Sequence, residues 1–224
     1  MKMAAAELKD KFFKRFPPVK IALMCVGIFF MGFFLSFLIE VDMGTDPFSF
    51  MNLMIANKIG MDFGTEEMIF NFLIFIPLFI WGRRLIGPGT VVNMICIGYI
   101  ADIFRYVWRL TLPREWFEVF PARAVVFAIT ILGFVIAAAI YMNADAGVSP
   151  YDGLAKVIAD ALPKIPYFIT RIVYDGTAVV IGCLLGGKLN PGLVSMVVLL
   201  GPAVSLVGKV FAKISAKGKK NEAG

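Results

Sequence analysis

Arg171 and Asp175 stand four residues apart in an otherwise apolar run, Pro166 to Gly187, with Tyr174 between them. Four residues is about one helical turn, so guanidinium and carboxylate share a face. If the helix starts at Pro166, Asp175 lies roughly 14 Å along it, near the middle of a hydrocarbon core about 30 Å thick. Ionisable groups at that depth are costly and point by default to a functional site; the competing reading is an ion pair that locks two helices together. As a site, Arg171 would hold an anionic group, and Asp175 would orient it or exchange a proton or cation.

A second set of candidates comes in two copies. Asp42-Met-Gly44-Thr-Asp46-Pro47-Phe48 returns as Asp145-Ala-Gly147-Val-Ser149-Pro150-Tyr151, 103 positions later (47 to 150). The register persists, since Pro88-Gly89 meets Pro191-Gly192 and Gly98 meets Gly201. Such a match marks a duplicated unit. Proline at a first helical turn, preceded by Asp or Ser, is a helix-start signature, so Asp46 and Ser149 are the expected N-caps. Gly44 with Pro47, and Gly147 with Pro150, would be the hinges. Helix N-termini favour anionic groups, and Ser149 suits one better than Asp46, which carries its own negative charge. A plain turn at the membrane surface is the alternative. Asn71 and Asn93 lie within apolar spans, where they either face a cavity or join helices by hydrogen bonds. The expected binding or translocation set is therefore Arg171, Asp175, Ser149, Asp46, Asn93 and Asn71. Positions 68 and 72, which match Arg171 and Asp175 in the first copy, are Met and Phe, so only one copy carries the ion pair.

These residues need an apolar frame, and the composition supplies it. Fifty-nine per cent of the 224 residues are hydrophobic and the mean hydropathy is +0.82, above an ordinary soluble domain at roughly 45–50% apolar. Ile21 to Ile39 and Ala124 to Ala144 are free of charge and long enough to span. The pattern predicts helices over 21–41, 47–59, 66–83 and 89–110 in the first half, and 124–144, 150–162, 166–187 and 192–214 in the second. The elements after Pro47 and Pro150, at roughly 20 Å, are too short to cross and must be half-helices or interfacial ones. The fold class is thus an all-α polytopic membrane protein of six transmembrane helices plus two short helices, in two tandem repeats. The domains are a basic N-terminus (1–20), repeat 1 (21–110), a connector (111–123), repeat 2 (124–214) and a basic tail (215–224). Three full crossings per half is an odd number, which inverts the second repeat. Arg105, Arg109, Arg114 and Arg123 near the connector oppose this on the positive-inside trend, while Arg83 and Arg84 support it; parallel repeats remain the alternative.

The net charge of +6 is concentrated before the first span and after the last, which suits cytoplasmic termini on a lipid bilayer and not nucleic-acid binding. Cys25, Cys96 and Cys183 stand singly, and the chain has no histidine, so neither a disulfide framework nor a familiar zinc site is expected. The cysteines read as buried structural thiols. HExxH, GxSxG and Walker patterns are absent, and neither catalysis nor a cofactor is expected.

Gly147-Val-Ser149-Pro150-Tyr151-Asp152-Gly-Leu, its weaker copy Gly44-Thr-Asp46-Pro47-Phe48-Ser, and Gly87-Pro-Gly-Thr90-Val-Val-Asn93 resemble the YczE/YitT group of small bacterial integral membrane proteins, over about residues 20 to 210. The resemblance implies a multi-pass protein of the bacterial cytoplasmic membrane, in a group often labelled transporters. It brings no substrate and no catalytic residues. The lysine-rich tail in place of a soluble C-terminal domain places the chain nearer the YczE type. The leading expectation is a small-solute membrane transporter or channel with a central site between the repeats, its solute unknown, with an anion in view. The alternative is a non-transporting accessory protein that binds or stabilises a membrane partner. A homodimer is left open.

Overall fold

The computed structural model describes residues 12–190 and 192–198, with positions 206, 209, 210 and 213 beyond them. The regular structure among the described residues is helical: α1 (Pro18–Val41), α2 (Pro47–Ile59), α3 (Phe63–Trp81), α4 (Pro88–Thr111), the short α5 (Glu115–Glu118), α6 (Ala122–Asn143), α7 (Pro150–Ala161) and α8 (Tyr167–Leu184), with a 3-10 turn at Arg83–Leu85. Five of them, α1, α3, α4, α6 and α8, are long and apolar enough to cross a membrane. Residues 192–198 begin a further helix. The rest of the expected sixth span, most of the basic N-terminus and the C-terminal tail lie outside the described residues.

The outer faces fit the class of environment. On α6, Ile129 and Leu132 are each 62% exposed, and on α8 Ile172, Val173 and Val180 are exposed as well. Water would not tolerate such belts on several helices; lipid does. Cys25 is also exposed on α1, a correction to its expected burial, because its face of the helix points away from α4 and α6.

Small residues set the packing. α1 lies between α4 and α6: Gly133 backs onto the Phe34 ring, Gly27 onto the Tyr141 backbone and Gly32 onto Ile97 and Ile100, and no side chain would fit at Gly27 or Gly32. The residue pairing makes α1 and α6 antiparallel. Both ends of that pair are tied by charge. Lys20 meets the Asp145 carboxylate at 2.7 Å, while Arg123 at the other end donates to the Val41 and Asp42 carbonyls at the C-terminus of α1, where a cation is favoured by the helix dipole. At that same end the Glu40 side chain, 6% exposed, takes Arg105 at 3.0 Å, Arg109 at 2.8 Å and Arg114 at 3.7 Å.

Some boundaries move from their expected places. α3 starts at Phe63, not 66, because the Asp102 carboxylate accepts the Gly64 N–H at 2.6 Å and anchors an extra turn. This draws Glu66 and Glu67 into the bundle, where both are buried. α8 stops at Leu184 rather than 187, ahead of Gly186 at φ 105.

The short helices begin at the centre of the bundle. Asp46, Phe48, Ser49, Ser149, Tyr151 and Asp152, from the starts of α2 and α7, gather against Met31, Asn93, Ile97 and Phe134, which are mid-helix residues of α1, α4 and α6. From there α2 and α7 run outward to opposite ends, α2 bringing Asn57 near Arg105 and α7 bringing Asp160 to Arg84. The connections that lead into them share a backbone: Asp42 and Asp145 have φ of 49 and 52, and Gly44 and Gly147 have φ of 128 and 110. At Gly147 a Cβ would meet the Gly87 backbone and the Thr90 hydroxyl; at Gly44 it would meet Leu193 N and the Asn190 side chain.

Gly147→Ala should therefore cost about 2–4 kcal/mol, a left-handed backbone and a steric clash together. Gly60→Ala, at φ 73 but in open space, should cost only about 1 kcal/mol. Thermal unfolding of the two purified variants checks the difference.

Candidate functional site

Both short helices start with proline and a capped first turn. Asp46 Oδ1 accepts the Ser49 N–H at 3.0 Å. Ser149 Oγ accepts the Asp152 N–H at 3.1 Å and donates to Asp152 Oδ2 at 2.7 Å. The next residue in each helix, Phe48 and Tyr151, meet across the centre with ring centroids 4.4 Å apart, and Tyr174 packs on Tyr151 at 4.5 Å. Rings in offset contact of this kind give the two helix starts a fixed separation.

Arg171 is locked from three sides. Its Nε donates to Asp175 Oδ2 at 2.9 Å, its Nη1 to Asp152 Oδ1 at 2.5 Å, and its guanidinium lies 5.3 Å from the Tyr151 ring centroid. Tyr151 donates its hydroxyl to the second Asp175 oxygen at 2.8 Å. Asp175 is thus engaged at both oxygens, by one residue of its own helix and one of α7. In this structure two of the chain's own carboxylates occupy the place expected for an anionic ligand of Arg171.

A small cavity of about 60 Å³ lies among these groups. Four of the expected residues line it: Arg171, Ser149, Asp46 and Asn93. Asp175 stands behind Arg171 and Tyr151. Asn71 is elsewhere, buried in α3 with neither amide atom bonded. Gly44, Pro47, Gly147 and Pro150 shape the turns that lead the chain into the site rather than touching it, and both glycines are tightly packed. Sequence reasoning missed Glu67, Asp152, Phe48 and Tyr151 on the cavity wall. Glu67 lies one helical turn before Asn71, and that spacing was the available signal. Among the described residues no group of three or more His, Cys, Asp or Glu could hold a metal ion.

Two wider depressions flank the cavity. One, about 950 Å³, opens at the end carrying Arg84, Lys156 and Asp160, and shares Asp152 and Met142 with the central cavity. The other, about 580 Å³, opens at the Arg105 end between Asn57 and Asn190 and shares no lining residue with it. The centre is therefore next to one end and separated from the other.

A family model described as "Family of unknown function (DUF6198)" matches residues 18–209. The uncharacterized protein YyaS of Bacillus subtilis (strain 168) is 23% identical over 149 residues, which cover 66% of this chain and 73% of YyaS. No solved structure matches the chain.

Removing Arg171 should leave Asp152 and Asp175 unpaired in the bundle, so Arg171→Ala is expected to lower stability by about 3–5 kcal/mol. Adding Asp175→Asn should return part of the loss, a coupling that a double-mutant cycle of thermal unfolding measures.

Proposed function

We propose, for a chain that belongs to the DUF6198 family of unknown function, that it carries a small solute across the membrane through the central cavity. The observation that carries this reading is the access pattern: a small charged cavity at the meeting point of two half-helices, sharing the wall residues Asp152 and Met142 with one vestibule and none with the other. That is the arrangement expected of a transporter resting with its site nearer to one side. The finer likeness to the YczE/YitT group, carried by the Gly-x-x-Pro starts, suits the same reading.

Inverted repeats are the architecture we assign to it. In the register of 103, Asp42 corresponds to Asp145, Gly44 to Gly147, Phe48 to Tyr151, and Lys20 to Arg123. The first two pairs share unusual backbone angles, the third pair is in ring contact, and the fourth ties opposite ends of the antiparallel α1 and α6. A sixth span from residue 192 would return the chain to the Lys20 end, which we assign to the cytoplasm of a bacterial cell. Glu40 then answers the arginines that strain the positive-inside rule, because Arg105, Arg109 and Arg114 are bound to it. Rocking of one repeat against the other would close the larger vestibule and open the smaller.

Asn93→Leu keeps the cavity wall nearly the same size while removing its amide. In purified protein reconstituted into liposomes, uptake of the transported solute should fall by about tenfold or more, with a change in stability of roughly 1 kcal/mol or less. Unchanged uptake would sink the cavity as the route. A folded wild type that moves no solute from a broad panel would favour the accessory role.

A further inference from the structure

With every carboxylate ionised, the charges at the centre do not balance. Among the described residues, Arg171 is the cation on the cavity wall, and Asp152 and Asp175 already engage it. Asp46 and Glu67 stand on the same wall in addition. Glu67 is 2% exposed, and its Oε2 has no hydrogen-bond partner; Asp46 uses one oxygen to cap α2, and its buried Oδ2 has none. Glu67 is within electrostatic reach of Asp46, Glu66 and Asp102. Four carboxylates around one guanidinium, shielded from water, stay ionised only if a further positive charge joins them.

The remaining lining indicates the kind of cation. Phe48, Tyr151 and Tyr141 present aromatic surface and Met31 a thioether, all suited to a soft organic cation. Asn93, 3% exposed, and Ser49 offer polar atoms opposite. No three carboxylates among the described residues converge closely enough to hold a metal ion. The volume, about 60 Å³, admits an occupant of only a few heavy atoms, as one water needs roughly 10–15 Å³ on the same measure. We infer that the central cavity binds a small organic monocation of the alkylammonium or guanidinium class, its charge held by Glu67 and Asp46 and its apolar edge laid against Phe48 and Tyr151. The inference rests on the transport reading for its meaning, and on the cavity's own charge for its chemistry.

The test uses purified full-length protein at constant pH and ionic strength. Millimolar methylammonium chloride or guanidinium chloride should raise the melting temperature of the wild type by roughly 5 °C at a hundredfold excess over the dissociation constant, and sodium chloride and sodium acetate should not. Glu67→Gln should lose the response. Asp46→Asn, which can still cap α2, should weaken it and serves if Glu67→Gln does not fold. Asp160→Asn, which removes a carboxylate at the Arg84 end, should keep it. Protection by sodium alone, by acetate alone, by pH alone, or undiminished in both cavity variants overturns the organic-cation assignment. Uptake of labelled methylammonium by liposomes separates the two readings. Binding without uptake of any solute keeps the cation site and sinks transport. Uptake of an anion without cation protection keeps transport and overturns the cation class.

Discussion

A helix that starts in the interior of a bundle leaves several backbone N–H groups where water cannot reach them, and most of this structure follows from having two such starts face to face. The chain meets the demand with residues beside the prolines. Proline removes one donor at the first turn, Asp46 or Ser149 takes another, and in α7 Asp152 then ties the capping hydroxyl. The caps are unequal. Ser149 is neutral and already bonded to a carboxylate, whereas Asp46 brings an ionisable carboxyl group into the same space. Arg171 is the response on one side only, held between Asp152 and Asp175. The asymmetry visible in the sequence, an ion pair in one half and Met68 with Phe72 in the other, is thus matched by an asymmetry of caps.

The aromatic contact between Phe48 and Tyr151 works together with that charge network. Tyr151 is at once a ring contact for Phe48, a hydrogen-bond donor to Asp175 and a face for the Arg171 guanidinium. A shift of α7 relative to α2 would disturb all three contacts together. Side chains that serve several partners couple the positions of the helices that carry them.

Local features were the legible ones. The starts at Pro47 and Pro150, their caps, and the one-turn spacing of Arg171 and Asp175 are written in adjacent residues, and the structure keeps them. What could not be read was who else came to meet them. Asp152 lies 19 positions from Arg171, and no local spacing links the two. Glu67 was hidden for a different reason: the sequence put it at a helix start, where glutamates normally face water, and only the Asp102 anchor on Gly64, 38 positions away, carries it inward. The exposure of Cys25 shows the reverse error, since an apolar run says nothing of which face meets lipid and which meets protein.

The ties at the two ends of α1 and α6 have a mechanical meaning. Lys20 with Asp145 and Arg123 with the Asp42 carbonyl sit at opposite ends of one antiparallel pair, and the glycine contacts at Gly27 and Gly133 close the length between them. A pair joined along its whole length resists sliding and shear, yet it resists rotation of its neighbours far less. α1, from the first half of the chain, and α6, from the second, thus have the build of an axle along the seam where the two halves meet.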